Sequence, residues 1–376
     1  MDALHIERAE CYPHATAYIP MMIQMIERLL MQGVAYRAQD GSIYYAIHTF
    51  ARYGSLSHLK HTCCAQGTRA LDDEYDKEHI EDFALWKAYD ATRDGTIYWD
   101  SPFGKGRPGW HIECSAMALA LLARRTDGSF ATIDLHAGGE DNIFPHHENE
   151  IAQSEAFSGH PFVKHWVHAR HLLVEGKKMA KSAHNFYTLR DLQARGYIGQ
   201  EVRFRLLQTH YREPLNFTWD SLEAARNGRN RILGCVRRLT DTVGCVDADL
   251  GQGWVHQKWD SFVAALANDL NISEALAYLF EVVHQCNAQL DAKDSGEDAR
   301  EELPHYVAFF LSMDRVLDLL PKKVEAIPEA VHALVAQREE ARRSKQWTLA
   351  DSLRHAIQAQ GFEVEDTTQG ARLTRF

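Results

Sequence analysis

The stretch FPHHENEIAQSE, Phe144 to Glu155, sets two histidines and two glutamates within five consecutive positions. Imidazole and carboxylate crowded in this way can ligate a metal, exchange protons as acid and base, or decorate a solvated helix end. On a helix, His146 and Glu150 stand four residues apart and share one face. A nitrogen and an oxygen donor presented together suit zinc. His147 points elsewhere on such a helix and is expected to pack or hydrogen-bond as an ordinary histidine. Pro145 suits the first helical position, where its missing N–H costs nothing. Glu148 and Glu150 suit the positive end of the helix dipole, a reading that needs no function at all.

Three further stretches carry residues of the same kind. In GWHIECS, Trp110 and Cys114 also stand four apart. A free cysteine is most often a small buried hydrophobe, but Cys114 with His146 and Glu150 makes a mixed sulfur, nitrogen and oxygen set for zinc. KKMAKS, Lys177 to Ser182, puts Lys178 and Lys181 on a loop after a strand. It is either a solvated basic turn or a cation clamp for phosphates, where lysine neutralises charge developing on oxygen. HAGGED places Gly138 and Gly139 after a strand and before a helix, where backbone without side chains can approach a nucleotide.

These segments need elements to position them. AYIPMMIQMIERLLMQG has apolar residues at helical spacing, with Gly33 where a C-cap belongs. GSIYYAI reads as a strand after the turn AQDG. Residues 52–106 are polar and irregular and read as an inserted, loop-heavy module. GRPGWHIECSAMALALLARR reads as a buried helix, TIDLHAGGEDN as a strand entering a Gly-Gly turn, and FVKHWVHARHLLVEGKKMAKS as a strand, a turn at Glu175-Gly176 and a lysine loop. That order of strand, glycine turn, helix and strand is that of an α/β nucleotide-binding sheet. Helical periodicity takes over from about Thr218 to Leu320, with Asn271 suited to cap one helix. The end reads as two helices and a hairpin turning at Thr-Gln-Gly.

The bulk composition narrows the classes. At 376 residues, with 45% hydrophobic and 25% charged residues, the chain suits two or three soluble domains. A net charge of −11 argues against coating nucleic acid by bulk attraction, though not against a local basic patch. Seven scattered cysteines without a C-x-x-C pair suit a reduced, cytoplasmic protein. The longest apolar run, AMALALLA, is too short to cross a membrane.

Together RPGWHIECSAMA, DLHAGGEDNIFPHHENEIAQSEA, GKKMAKSAHNFYTLRDL and HYREPLNFTWDSLEAAR resemble cysteinyl-tRNA synthetase, a class I aminoacyl-tRNA synthetase, over nearly the whole chain. The resemblance implies activation of cysteine with ATP and Mg2+, then transfer to tRNA(Cys). It implies one Zn2+ gripping the substrate thiolate, with Cys114, His146 and Glu150 as ligands. Trp110 and His136 match residues around the cysteine pocket, and Gly138, Gly139 and Asp141 match the turn facing adenosine. KMAKS matches the KMSKS loop, with Lys178 and Lys181 as catalytic residues at the ATP phosphates and Ala180 in place of serine.

The front departs from the family. The chain begins where the connective insertion would begin, without the HIGH motif and without the fourth zinc ligand; neither LHIE nor Cys11 replaces them. The expectation is therefore a truncated synthetase with an incomplete zinc site, unable by itself to form cysteinyl-adenylate and open to a complementing N-terminal fragment. The alternative is a non-activating remnant that binds zinc, tRNA or a protein partner. The architecture expected is an α/β partial Rossmann-type domain, then a helical bundle and a small C-terminal module. Its segments are a connective insertion (1–105), the second half of the nucleotide fold (106–168), a stem-contact region (169–217), a bundle (218–325) and an anticodon-binding module (326–376). Near the last, Arg338, Arg342, Arg343 and Lys345 are either a phosphate-binding patch or a solvated face.

Overall fold

A computed structural model describes residues 1–59, 64–69, 80–179, 185–244, 248–292, 297–321, 328–367 and 370–375. The chain divides into two units. One is α/β (residues 8–180 and 209–217) and the other mainly helical (1–7, 181–208 and 218–376).

The α/β unit opens with α1 (Ile19–Met31), whose Met22, Met25, Ile26 and Leu29 are wholly buried. Gly33, at φ 73°, ends it as the sequence suggests. A sheet follows from β1 (Ala35–Arg37), β2 (Ile43–Tyr45), β3 (Cys64–Arg69), β4 (Ile80–Ala88) and, after the short α2 (Ala91–Asp94), β5 (Gly106–Pro108). Its order is β1-β2-β4-β3, with β5 also paired to β4. The stretch read as loop-heavy thus contains the longest strand of this sheet. Phe83, Ala84, Leu85 and Trp86 are consecutive and all buried. With both faces covered there is no alternation of apolar and polar residues to reveal the strand.

The second layer carries the chemistry-bearing segments. α3 (Trp110–Ala118) runs on into a π turn at Leu119–Ala123. β6 (Ile133–Gly139), α4 (Glu148–Ser158) and β7 (Val163–Ala169) form a β-α-β unit with parallel strands. Gly138 and Gly139 pair with His168 and Ala169 inside this ladder. They end a strand rather than form the turn expected of them. The core of the unit joins α1, β2, β4, α3 and α4 through Met25, Tyr45, Phe83, Trp86, Ile112 and Ala152. A small sheet completes it, with β10 (Leu215–Phe217) parallel to β8 (Leu172–Val174) and β9 (Lys177–Lys178) antiparallel to β8. The turn between β8 and β9 falls at Glu175 (φ 51°) and Gly176 (φ 75°), as the sequence suggests. Lys178 lies in β9 rather than in a loop. Lys181 and Ala180 lie outside the described residues.

In the helical unit, α5 (Leu189–Ala194) starts at a capping box between Thr188 and Asp191. α6 (Gly199–Leu207), α7 (Trp219–Val243), α8 (Trp254–Ala267), α9 (Ile272–Asp291) and α10 (Glu297–Leu317) follow. Asn271 caps α9 by accepting from Glu274 N at 3.3 Å, as expected. Phe204, Phe262, Leu279, Phe309, Phe310 and Met313 form the core of this bundle. α11 (Glu329–Arg343), α12 (Trp347–Ala359) and the hairpin β11 (Phe362–Thr367) and β12 (Gly370–Arg375) close on Val331, Ile357, Phe362 and Val364. Thr368 and Gln369, the turn expected here, lie outside the described residues. Arg338 is buried in α11 and cannot belong to a surface patch, whereas Arg342, Arg343 and Lys345 are exposed. No helix among the described residues is long and apolar enough to cross a membrane.

Gly109 marks how tightly α3 sits on the sheet. Its N–H donates to Leu85 O at 3.0 Å, and a Cβ there would fall 1.9 Å from Ala84 O. Gly109→Ala is expected to cost about 3 kcal/mol, the upper end for overpacking. Gly234→Ala, in α7 with nothing within 4 Å, should be neutral or stabilise by up to ~1 kcal/mol. Urea unfolding of the two variants compares them directly.

Candidate metal centre and active site

The site lies where α3 meets the start of α4. Phe144 is extended (φ −139°, ψ 132°), as a residue before proline should be. From Pro145 the chain turns helical through a π turn, Ile143–His147, and enters α4 at Glu148. His146 and Glu150 share a face, as their spacing requires. Cys114 joins them from α3, and the three donor atoms lie within 4.8 Å of one another.

His147 does not point elsewhere. Its Nε2 is 3.8 Å from Glu150 Oε2, as is that of His146, while His136 Nε2, from β6, is 3.5 Å away. Residues three apart on a helix are neighbours just as those four apart are. Three imidazole nitrogens and a thiol therefore surround one carboxylate. Trp110, half-exposed, lays its ring 4.5 Å from that of His146.

α4 is not a solvated helix end. Glu148 is fully buried and accepts from Gly54 N (2.8 Å), Ser57 N (2.9 Å) and Ser57 Oγ (2.8 Å). Asn149 Oδ1 accepts from Tyr53 Oη, and Ala152 O accepts from Tyr45 Oη at 3.2 Å. Gln153 Nε2 donates to His111 O and Ser115 Oγ, both at 2.7 Å, tying α4 to α3 beside Cys114. Sequence reasoning misses these supports, because their partners are distant along the chain.

Two more histidines orient the donor rings. His111 Nδ1 is 3.0 Å from His146 Nδ1, and His168 Nε2 is 2.8 Å from His147 Nδ1. For Nε2 of His146 or His147 to offer its lone pair to a cation, Nδ1 must carry the proton and donate it outward. Both outward acceptors are in place.

The electrostatics follow from burial. Glu150 is fully buried, neither carboxylate oxygen has a hydrogen-bond partner among the described residues, and desolvation holds its pKa well above the usual range. Burial, and then His136, pushes His146 down to about 4. Burial, with His136, His146 and His168 adding, pushes His147 down to about 3. Burial also lowers His111, His136 and His168. Cys114 is pushed up to about 12, by burial first and then by Glu150 and Glu113. Without a cation, burial favours the neutral form of each of these groups; a divalent ion would favour the carboxylate and the thiolate.

The spacing fits a metal better than a hydrogen-bonded network. Separations of 3.5 and 3.8 Å exceed the hydrogen-bond range. They match the about 3.3–3.8 Å between two ligands of one tetrahedral zinc, each about 2.0–2.3 Å from the ion.

The other residues with expected roles lie around this cluster. A Cβ on Gly138 would fall 2.7 Å from His147 Cε1, and one on Gly139 2.4 Å from Asp141 Oδ1. Gly138 therefore makes room for the His147 ring. Asp141 is exposed in the single turn Glu140–Asn142, and Lys178 is exposed on β9.

The family model for the class I (C) tRNA synthetase catalytic domain matches residues 1–227. Those for the DALR domain and the cysteinyl-tRNA ligase anticodon binding domain match 261–320 and 325–372. This chain belongs to the cysteine–tRNA ligase family. It is 48% identical to the cysteine–tRNA ligase of Chlamydia muridarum over 383 residues, covering 100% of this chain and 79% of that one. It is 50% identical to that of Chlamydia pneumoniae over 376 residues, covering 99% and 77%. In fold it is similar to a putative arginyl-tRNA synthetase from Campylobacter jejuni (TM-score 0.54, 13% identity, 85% of this chain and 64% of that one). It is also similar to Mycobacterium tuberculosis methionyl-tRNA synthetase in complex with methionyl-adenylate (TM-score 0.56, 12% identity, 85% and 74%). These likenesses agree with the α/β and helical architecture expected from the sequence.

The buried histidines set the sign of a pH dependence. Five imidazoles are held below their ordinary pKa, and His111, His146 and His147 most strongly, while unfolded ones take up protons below about pH 6.5. Glu150 acts oppositely, since the fold keeps a proton that the unfolded carboxyl releases above about pH 4.3. Even these three against one leave the unfolded state with more protons between about pH 4.5 and 6.5, so stability falls as pH falls through that window. Chelator-treated protein is expected to lose at least about 1.4 kcal/mol per pH unit between pH 6.5 and 5.5 in urea unfolding, one net proton's worth. A smaller slope is expected in His147→Asn. A flat profile would contradict this account of the site.

Proposed function

We propose that the chain serves the activation of cysteine with ATP and Mg2+ and its transfer to tRNA(Cys) in the cytoplasm, alone or with a complementing N-terminal fragment, with zinc at Cys114, His146 and Glu150. The observation that carries this reading is the buried Glu150 carboxylate, without a hydrogen-bond partner among the described residues and facing thiol and imidazole donors. When bound, zinc supplies a borderline Lewis acid that grips the substrate thiolate and leaves serine's hydroxyl weakly held. Discrimination at that contact needs no editing step, because the missing metal–sulfur bond outweighs a methylene-sized difference.

The protein groups take complementary parts. His111 holds His146 in the ring orientation that leaves Nε2 free for the ion. Trp110, packed on His146, and His136 line the cysteine pocket. Gly138, Gly139 and Asp141 face the adenosine, and Lys178 and Lys181 neutralise the ATP phosphates as charge develops on them. Arg342, Arg343 and Lys345, exposed at the end of α11 and after it, meet tRNA phosphates and supply the local attraction that a net charge of −11 denies the molecule as a whole.

Cysteine-dependent ATP–pyrophosphate exchange tests the activation step, on the chain alone and with an added fragment bearing a HIGH motif. Exchange with cysteine and not serine is expected in at least one arm. Cys114→Ser and Glu150→Gln should lower it at least about 100-fold, since disturbing even outer partners of metal ligands costs 10–100-fold. Cysteine and zinc binding without exchange in either arm would instead favour a non-activating binding protein.

Replacing Arg342, Arg343 and Lys345 by alanine tests the RNA interface. The slope of log affinity for tRNA against log salt should fall by about 2 to 3, at roughly 0.7–0.9 for each phosphate no longer neutralised. An unchanged slope would remove these residues from the interface.

A further inference from the structure

The thiol is not the only route to a cation at Glu150. His136, His147 and Glu150 form a second set of donors within 4.8 Å of one another. It shares only the carboxylate with the set of Cys114 and His146. Both Glu150 oxygens are buried and without hydrogen-bond partners among the described residues, and the imidazoles of both sets approach the same one, Oε2, so the two sets meet at one carboxylate.

The strands build this second set. β6 and β7 pair in parallel, with His136 opposite Trp166 and Gly138 opposite His168. Side chains two apart on a strand share a face, so His136 and the gap at Gly138 lie on one side of β6, with Trp166 and His168 together beside them on β7. The His147 ring occupies that gap, 2.7 Å from where a Gly138 Cβ would stand. Trp166 flanks both donor rings, at 4.8 Å from His136 and 4.9 Å from His147. His168 fixes His147 Nδ1 at 2.8 Å, which turns Nε2 toward the carboxylate. The resulting separations from Glu150 Oε2, 3.5 Å for His136 and 3.8 Å for His147, are those of ligands around a shared ion and too long for hydrogen bonds.

We propose that His136, His147 and Glu150 form a second, thiol-free seat for a divalent transition-metal ion, which shares the Glu150 carboxylate with the seat of Cys114 and His146. Two imidazoles and a carboxylate select borderline ions such as Zn2+, Co2+ or Ni2+ over soft ones. The inference rests on the reading of Glu150 as a metal-binding carboxylate.

Cobalt(II) is the probe, because thiolate ligation adds a charge-transfer band that a nitrogen and oxygen site lacks. The chain as it stands should bind Co2+ with that band. Cys114→Ser should still bind one Co2+, with d–d absorption and no charge transfer. Adding His136→Asn and His147→Asn to that variant should weaken binding at least 100-fold. A second measurement avoids the cysteine variant: His136→Asn alone should keep the charge-transfer band and lose only absorption that is not accompanied by it. A folded Cys114→Ser protein that binds no Co2+, or whose binding survives both histidine substitutions, overturns the second seat and leaves the first intact. No Co2+ binding by the unaltered chain would overturn the reading of Glu150 as well.

Discussion

The site depends on one unfavourable act, the burial of the Glu150 carboxyl group. A carboxylate withdrawn from water without a partner is costly, and the usual escape is to keep the proton. Here the fold surrounds the group with a thiol and three imidazoles that stand too far off to hydrogen-bond. None of them relieves the carboxyl directly. Each turns a potential donor atom toward the space in which a cation would relieve it. The desolvation that penalises the ion-free state is therefore the same effect that makes a cation welcome, since an unscreened charge attracts a counter-ion most strongly where water is excluded.

Such an arrangement holds only if the helix that carries Glu150 cannot relax. α4 is fastened on each side of that residue by buried polar contacts. Glu148 takes three donors from the 54–57 turn, Asn149 takes Tyr53, and Gln153 reaches α3 through two bonds beside Cys114. The apolar core alone would not fix the register of α4 to this degree, because hydrophobic contact is non-directional. Hydrogen bonds that leave a group stranded when broken are directional, and removing one partner costs the full desolvation of the other. The polar network thus sets the separation of Cys114 from Glu150, while the packing of Met25, Phe83 and Ile112 supplies the bulk of the stability.

What is legible in the sequence follows the range of each interaction. α1 with Gly33, the Asn271 cap and the C-terminal helix pair are readable because their signals lie within a few residues. β4 is not, since Phe83 to Trp86 are buried on both faces and show no period. Arg338 looks like part of a basic surface because its neighbours are basic, yet it faces the inside of α11's small domain. In the site, the i, i+4 spacing of His146 and Glu150 is visible in the letters alone. His147 stands at i, i+3 to Glu150, and a reading that follows only the i, i+4 spacing passes over it although both spacings serve one face.

His136 and His168 show the remaining limit. They are 32 residues apart in the chain, by their numbers, and meet the same ring only because β6 and β7 are parallel in the register that puts Gly138 opposite His168. A shift of one residue would turn His136 and the glycine gap to the other face of the sheet. His147 would then meet a side chain where it now has room. The glycine that looks in the sequence like a nucleotide-facing residue is, in the folded chain, first a vacancy for an imidazole. The two uses are compatible: a backbone kept bare to admit a ring on one side remains free to approach a ligand along its edge. One strand end would therefore have room for both a nucleotide and a metal, and the register of β6 against β7 sets that room.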